Sequence, residues 1–396
     1  MIGPLEGIRV LDLTRVLAGP VASMALGDMG ADVIKVEDPQ GGDLYRVSGF
    51  LRQGTESVNF LTANRNKRSI CVDLRSREGS SIVLHLADSC DVLIENFRPG
   101  TTDRLGIGPE VVEARNPGAI YCSITGFGSD GPYRDLPAVD PIIQAMSGLM
   151  ALTGEQDGPP VRLGSAVGDL YGATMAVQGV LLALLSRTRT GRGQRVEVSL
   201  LDSALFGLMP REGEYFATGE LPSRMGHAHP QFVPFQAFEV ADAWIYIAVF
   251  HDALFGKLCQ EIDREDMATD PRFATGPARV EHREALIAEL AAILRRGTAQ
   301  EWVDRLGGAG VPCAPINEMD AVFDDPHVTH SGMVVTLDHP TAGRVRTVGN
   351  PIRLSDTPSS VRLPPPLLGQ HTEEILREFG YSAARIRELV HTGVVA

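Results

Sequence analysis

Lysine is nearly missing from this 396-residue chain. Lys35, Lys67 and Lys257 are set among 36 basic residues that are otherwise arginine. Acidic residues number 50, giving a net charge of −14. A chain this acidic, with no evident basic face, is not expected to bind nucleic acid. Cysteine is sparse as well. Cys71, Cys90, Cys122, Cys259 and Cys313 are odd in number and none pair at metal-ligand spacing, so they read as buried thiols of a reducing compartment. The opening MIGPLEGIRVLDLT has no basic stretch followed by a continuous apolar run, and runs such as GVLLALL are too short to span a bilayer. The expectation is a cytoplasmic protein with no membrane partner. The first turn, TRVLAGP, lacks the G-x-G-x-x-G pattern that seats a pyrophosphate, which argues against a nicotinamide or flavin enzyme. His227 and His229, two residues apart with no neighbouring carboxylate or thiolate, are weak evidence for a metal, and none is expected.

What is present is an ordinary globular composition, 43% hydrophobic and 22% charged, on a length that suits two domains. The acidity is uneven. Residues 1–104 carry 12 Lys/Arg against 14 Asp/Glu, so nearly all the excess lies beyond them. GIRVLDLT, GPVASMALGDMG and ADVIKVE read as strand, helix and strand. SICVDL, a helix over about 76–89 and DVLIENF repeat the pattern, and AIYCSITGF adds a strand. Such alternation predicts an α/β protein with a Rossmann-like, mostly parallel sheet. Residues 141–190 read as helical. A Pro/Gly-rich connector at 219–234 separates a large domain, 1–218, from a smaller α+β domain, 235–325. Residues 326–396 return to complete the large domain and end in an amphipathic helix.

Asp169, in PVRLGSAVGDLYGATMA, is the strongest candidate for chemistry. A carboxylate there, among small residues, either caps the helix that follows or acts as a nucleophile, since Asp attacks acyl groups when positioned and partly desolvated. ENFRPGTTDRLG sets Asn96, Phe97, Arg98 and Arg104 around a strand end and a helix start, where an anion is favoured. Arg65, Lys67 and Arg68 in NRNKRS, with Arg75 beyond the next strand, read either as further phosphate ligands or as solvated surface cations.

LEGIRVLDLTRVLAGPVASMALGDMGADVIKVE, NRNKRSICVDL, DVLIENFRPGTTDRLGIG, YCSITGFGSDGPY, GSAVGDLYGA and PPPLLGQHTEEIL, in this order along nearly the whole chain, resemble the family III CoA-transferases. That group includes carnitine and formate/oxalate CoA-transferases and α-methylacyl-CoA racemases. The resemblance implies two interlocked, ring-like subunits. It implies that Asp169 is the aspartyl nucleophile and that Val16, Ala18, Arg75, Asn96, Phe97 and Arg104 contact CoA; Arg98, in the same NFRPGTTDRLG stretch, is expected to bind CoA as well. CoA and acyl-CoA are then substrates, with no permanently bound cofactor. The chain also departs from its apparent relatives. Racemases of the group carry His-Asp where this chain has Val139-Asp140. Phe250-His251-Asp252 replaces a common G-N-D, and the glycine-rich loop of the oxalate enzyme has no counterpart.

The implied activity is CoA transfer from an acyl-CoA, with succinyl-CoA as donor, to a small acid through aspartyl mixed-anhydride and aspartyl-CoA thioester intermediates. The succinyl-CoA-dependent branch is nearest in pattern, which points to acceptors such as itaconate, mesaconate or citramalate. A second carboxylate needs a cation or several donors. Arg15, Arg46, Arg52, Asp140, His227 and His229 are the candidates for acceptor binding. The rival readings are a 2-methylacyl-CoA racemase, which would lack one base at Val139, and a CoA-binding protein without turnover.

Overall fold

The computed structural model describes residues 3–396. Its main sheet has six strands: β1 (Arg9–Asp12), β2 (Asp32–Glu37), β3 (Lys67–Cys71), β4 (Val92–Glu95), β5 (Ile120–Thr125) and β6 (Arg195–Ser199). All pairings are parallel, in the order β3-β2-β1-β4-β5-β6. The chain winds outward from β1 to β3, then crosses back to β4, so Val10 sits between Val33 and Val92. Ligands of such sheets bind where the order reverses, beyond the carboxyl ends of the two central strands.

Both faces of the sheet are covered, so the strands supply apolar residues to both layers, and the charges they carry inward, Asp12, Lys35, Glu37, Lys67 and Glu95, are buried. Alternate positions serve opposite layers. Leu11, Ile34, Ile70 and Leu93 pack in one core with Ile82, Val83 and Leu86, and with Ile375 and Leu389 from near the C-terminus. Val10, Val33, Val92 and Ile120 pack in the other with Ala22, Leu26, Ala173, Ala176 and Val180. The helices that matter for the site are α1 (Ala18–Asp28), α2 (Leu44–Val47), α3 (Arg77–Ala87), α4 (Thr101–Arg104), α5 (Asp140–Met146), α6 (Val167–Thr190) and α7 (Leu200–Phe206). Gly172 brings α6 against α7, since a Cβ there would stand 2.2 Å from Leu200 Cδ2. By length and composition α6 is apolar enough to cross a membrane, contrary to the sequence expectation, which looked only for continuous runs. A core helix meets the same criterion, and α6 packs by its small residues against α1, α7 and the sheet.

Two of the three lysines are fully buried under this sheet. Lys67 Nζ donates to Asp12 Oδ2 (3.0 Å), Asn64 Oδ1 (2.8 Å) and the Pro20 carbonyl (2.9 Å). Lys35 Nζ donates to Asp43 Oδ2 and to the Thr14 carbonyl, both at 2.8 Å. Burial alone would raise the Asp12 carboxyl, but Lys67, Lys35 and the Ser23 and Thr14 hydroxyls outweigh it and hold it at about 2. The NRNKRS cations are therefore neither phosphate ligands nor solvated. Arg65 is forked onto Asp28 (2.7 and 3.0 Å), and Arg68 onto Asp32 (2.7 and 3.0 Å). Lys67→Ala is expected to cost about 3–5 kcal/mol of stability by leaving a buried carboxylate without its principal cation. Chemical denaturation measures it, and a loss below about 1 kcal/mol would contradict the reading.

The chain divides into two compact units. One comprises Met1–Leu149, Arg162–Phe216 and His327–Ala396; the other comprises Met150–Val161 and Ala217–Pro326. Residues 150–161 and 217–234 thus belong to the second unit rather than to a large domain and a free connector. That unit has an antiparallel sheet of β7 (Phe235–Glu239), β8 (Trp244–Ala248) and β9 (Cys313–Pro315) over a core including Phe238, Ile245, Phe255, Leu258, Leu290 and Trp302. Helix is not continuous over 141–190. Gly148 and Gly154 take left-handed conformations, and irregular chain runs from Thr153 to Ala166. The C-terminus forms two helices, Thr372–Glu378 and Ala383–His391, broken at Gly380 (φ 87°). Four of the cysteines are buried and Cys313 is half-buried. Burial pushes the Cys71, Cys90, Cys122 and Cys259 thiols up to about 12 and Cys313 to about 11, far from reactivity at neutral pH.

Candidate active site

The loops after β1 and β4 meet at the point where the strand order reverses, and a cavity of about 480 Å³ opens there. Val16, Leu17 and Ala18 line it from the first loop, Asn96–Pro99 from the second, and Asp140, Ala166 and Asp169 from α5 and α6. Val16 has φ +70°, an unfavourable conformation for a β-branched residue. Its N–H donates to Asp43 Oδ1 (2.9 Å), and Asp43 is itself held by buried Lys35. The strained turn is thereby anchored to the charge network beneath the sheet. It leads into α1, whose N-terminus has no side-chain cap and leaves backbone N–H groups for an anion. Asn96 clamps the first loop to the second: its Oδ1 accepts from Arg15 N and its Nδ2 donates to the Arg15 carbonyl, both at 2.8 Å. Glu95, just before it, accepts from Phe97 N (2.8 Å), and burial raises its carboxyl to about 6.

Asp169 does not cap its helix. Asp140 does so from α5. Its Oδ1 accepts from Gly168 N at 2.8 Å and from Asp169 N at 3.4 Å, while Gln144 Nε2 holds Oδ2 at 2.6 Å. Gly168 suits that close approach: a Cβ there would lie 3.1 Å from both Asp140 Oδ1 and Ile143 Cγ2, so these side chains would have to give by a few tenths of an ångström. The Asp169 carboxylate, freed from capping, receives no hydrogen bond among the described residues. Burial first, then the neighbouring Asp140 charge, raises it to about 6. A half-buried carboxylate without donors, its value raised in a cavity, has the chemistry that a nucleophilic role requires.

Sequence reasoning missed three cavity residues. Tyr45, half-buried on α2, carries a phenol raised by burial and by Asp169, Asp43 and Asp140. It stays protonated and able to donate. Arg134 and Arg162 add two cations to Arg98 around the cavity. Tyr45 and Arg134 sit in no recognisable motif, whereas Arg162 stands in the PVRLGSAVGDLYGATMA stretch, seven residues before Asp169, and went unremarked. Arg75 and Arg104 line a different depression of about 430 Å³, with Ser76, Arg77 and Asp103. The segment 97–106 borders both hollows, as an elongated ligand would need.

The acceptor candidates fare unevenly. Arg46 is buried and fully engaged: Nε and one terminal nitrogen bind Glu37 (2.7 and 2.8 Å), and the guanidinium lies 3.5 Å from the Phe60 ring centroid. It is a structural cation. Arg52 donates to the Arg46 carbonyl at 2.6 Å and is not among the residues lining the cavity. Arg15 stacks on Phe97 at 5.0 Å. His227 and His229 belong to the second unit, where their Nδ1 atoms accept from Ala237 N (3.2 Å) and Gln231 N (3.1 Å). Asp140, an acid, serves the helix rather than an incoming carboxylate.

The geometry defines an α/β protein with a ligand cavity at the sheet's switch point and one desolvated carboxylate inside it. The model of CoA-transferase family III matches residues 5–372, so the chain belongs to that family and is a CoA-transferase. It is 41% identical over 393 residues to the succinyl-CoA:glutarate CoA-transferase of Mus musculus, covering 99% of this chain and 90% of that one. It is 39% identical over 388 residues to the succinyl-CoA:mesaconate CoA-transferase of Haloarcula hispanica, covering 96% and 97%. A solved structure, a CAIB/BAIF family protein from Brucella suis, superposes with a TM-score of 0.86 at 39% identity over 96% of this chain and all of that one.

Proposed function

We propose that the protein transfers CoA from succinyl-CoA to a small dicarboxylic acid of roughly four to six carbons, with Asp169 as covalent nucleophile. The observation that carries the reading is the Asp169 carboxylate, raised to about 6 and without a donor, at the switch-point cavity. The names of the mouse and Haloarcula relatives support the donor and the acceptor class.

The reaction balances without a base. A carboxylate oxygen of Asp169 attacks the thioester carbonyl carbon, the C–S bond breaks and CoA thiolate leaves, giving a mixed anhydride. The thiolate then attacks the Asp169 carbonyl carbon of that anhydride. The C–O bond breaks, the donor acid departs as carboxylate and an aspartyl-CoA thioester remains. The acceptor carboxylate attacks this thioester and the two steps reverse onto the new acid, regenerating the Asp169 carboxylate. Holding the reactants in contact supplies most of the gain for so weak a nucleophile. The Tyr45 phenol and the uncapped N–H groups opening α1 are available to a developing oxyanion. Racemisation is disfavoured because Val139, at the cavity wall, carries no proton.

Arg104, on α4 beside Arg75 and Arg77, suits the phosphates of CoA. Arg104→Ala is expected to raise KM about tenfold for every acyl-CoA alike, the worth of one charge-assisted hydrogen bond. A loss confined to one acceptor acid would contradict it. A homodimer is part of the reading. It is supported by the exposed Phe50, Leu182, Leu185, Phe206 and Phe216 of the first unit, large apolar side chains that a subunit contact would cover. The test of the function mixes succinyl-CoA with glutarate or pentanoate and follows the thioesters by mass spectrometry. Glutaryl-CoA should form much faster than pentanoyl-CoA. Equal rates would exclude the dicarboxylate reading, and no product from any acid would exclude the donor.

A further inference from the structure

We propose that Arg162 binds the distal carboxylate of the dicarboxylate, both as the acyl group of the donor and as the free acceptor; the inference rests on the CoA-transfer function proposed above. The cavity floor carries Asp140 and Asp169, both repelling an incoming dianion. A carboxylate that leaves water there requires a cation close by.

Three cations line the cavity: Arg98, Arg134 and Arg162. Arg98 extends the Asn96–Phe97 loop and belongs to the segment shared with the Arg104 hollow. Arg134 has Asp135 at 3.6 Å. Arg162 has no carboxylate partner among the described residues, and its one side-chain hydrogen bond goes to the Leu163 carbonyl at 3.2 Å. Of the other basic candidates near these loops, Arg46 is spent on Glu37, and Arg15, stacked on Phe97, does not line the cavity.

Arg162 is also held in register with the nucleophile. Buried Gln144 accepts from Leu163 N (2.9 Å) and donates to the Ser165 carbonyl (3.3 Å) and to Asp140 Oδ2 (2.6 Å). Asp140 in turn fixes Gly168 N at 2.8 Å, next to Asp169. The backbone from Leu163 to Gly168, between Arg162, which is exposed, and Asp169, is thus pinned at both ends by one buried Gln–Asp pair. A planar fork lining the same cavity as the aspartyl carboxylate, on a backbone fixed relative to it, is suited to read the far end of a short diacid.

The experiment measures kcat/KM on the full-length protein for two matched pairs: glutarate against pentanoate as acceptors, and succinyl-CoA against butyryl-CoA as donors. In each pair only the distal charge differs. Arg162→Ala should collapse the preference for the charged member at least tenfold in both pairs, with the affinity for free CoA within threefold of wild type. Arg162→Lys, which keeps the charge but loses the fork, should restore part of the preference. Arg134→Ala should leave both ratios within threefold. If the wild type prefers glutarate and Arg162→Ala keeps that preference, the assignment of Arg162 is wrong and the transfer function stands. If the wild type transfers CoA but shows no preference within either pair, or transfers none, the proposed function falls and this inference with it.

Discussion

Asp169→Ala is expected to lower CoA transfer by on the order of a thousandfold or more while leaving the protein folded. In the proposed mechanism this carboxylate forms both acyl intermediates, and it takes no part in capping α6, which Asp140, the other carboxylate at the cavity, performs. Loss of the side chain therefore removes chemistry without removing a structural bond. The variant should even gain stability at neutral pH. A carboxyl raised to about 6 binds its proton more tightly in the folded chain than in the unfolded one. Its favourable contribution is complete below about pH 4 and is lost as pH rises through 6. Deleting it relieves about 1–2 kcal/mol at pH 7, allowing for the part of the group that water still screens. Near wild-type turnover in Asp169→Ala would end the mechanism.

The second large effect is on pH dependence. The attacking species is the ionised carboxylate, so kcat/KM for the acyl-CoA donor should fall tenfold per pH unit below about 6 and level off above 7. Burial is the larger cause of the raised value and Asp140 the smaller. Asp140→Asn should keep an oxygen acceptor for Gly168 N while removing the like charge. Its acid limb should move to lower pH but remain above the ordinary Asp range near 4. A wild-type profile flat from pH 5 to 8, or a limb unmoved by Asp140→Asn, would show that some other group limits the rate.

Much of the frame was legible along the chain. The β1–α1–β2 unit announces itself because two short, mostly apolar runs, Val10–Leu11 and Val33–Val36, flank a helix-length segment, even though Asp12, Lys35 and Glu37 interrupt or end them. Asp169 stood out from its small neighbours. Its rival role as a helix cap was undecidable locally, because the actual cap, Asp140, comes from 28 residues upstream and reaches α6 only after folding. The same limit hid Tyr45 and Arg162. Their residue types are common, and only the strand order brings their loops to one cavity. Arg46, Arg65 and Lys67 misled in the opposite direction. A run of cations looks like surface or ligand chemistry, yet each is turned inward onto Glu37, Asp28 or Asp12. Periodicity cannot reveal such pairs, whether the partner is nine residues away, as Glu37 is from Arg46, or more than thirty, as Asp28 and Asp12 are from Arg65 and Lys67. The second unit was recognisable from the hairpin FQAFEVADAWIYIA, but the return of residues 150–161 to it was not, since the glycines that break the helix at 148 and 154 do not say where the chain goes next.

The central claim is that Asp169 carries CoA covalently between donor and acceptor. The direct measurement is intact-protein mass spectrometry after mixing with succinyl-CoA in the absence of an acceptor, followed by peptide mapping. The account predicts a mass gain of one CoA less one water, located on Asp169, discharged by adding glutarate and absent from Asp169→Ala. Transfer that proceeds with no such adduct, or with CoA attached to a different residue, would contradict it.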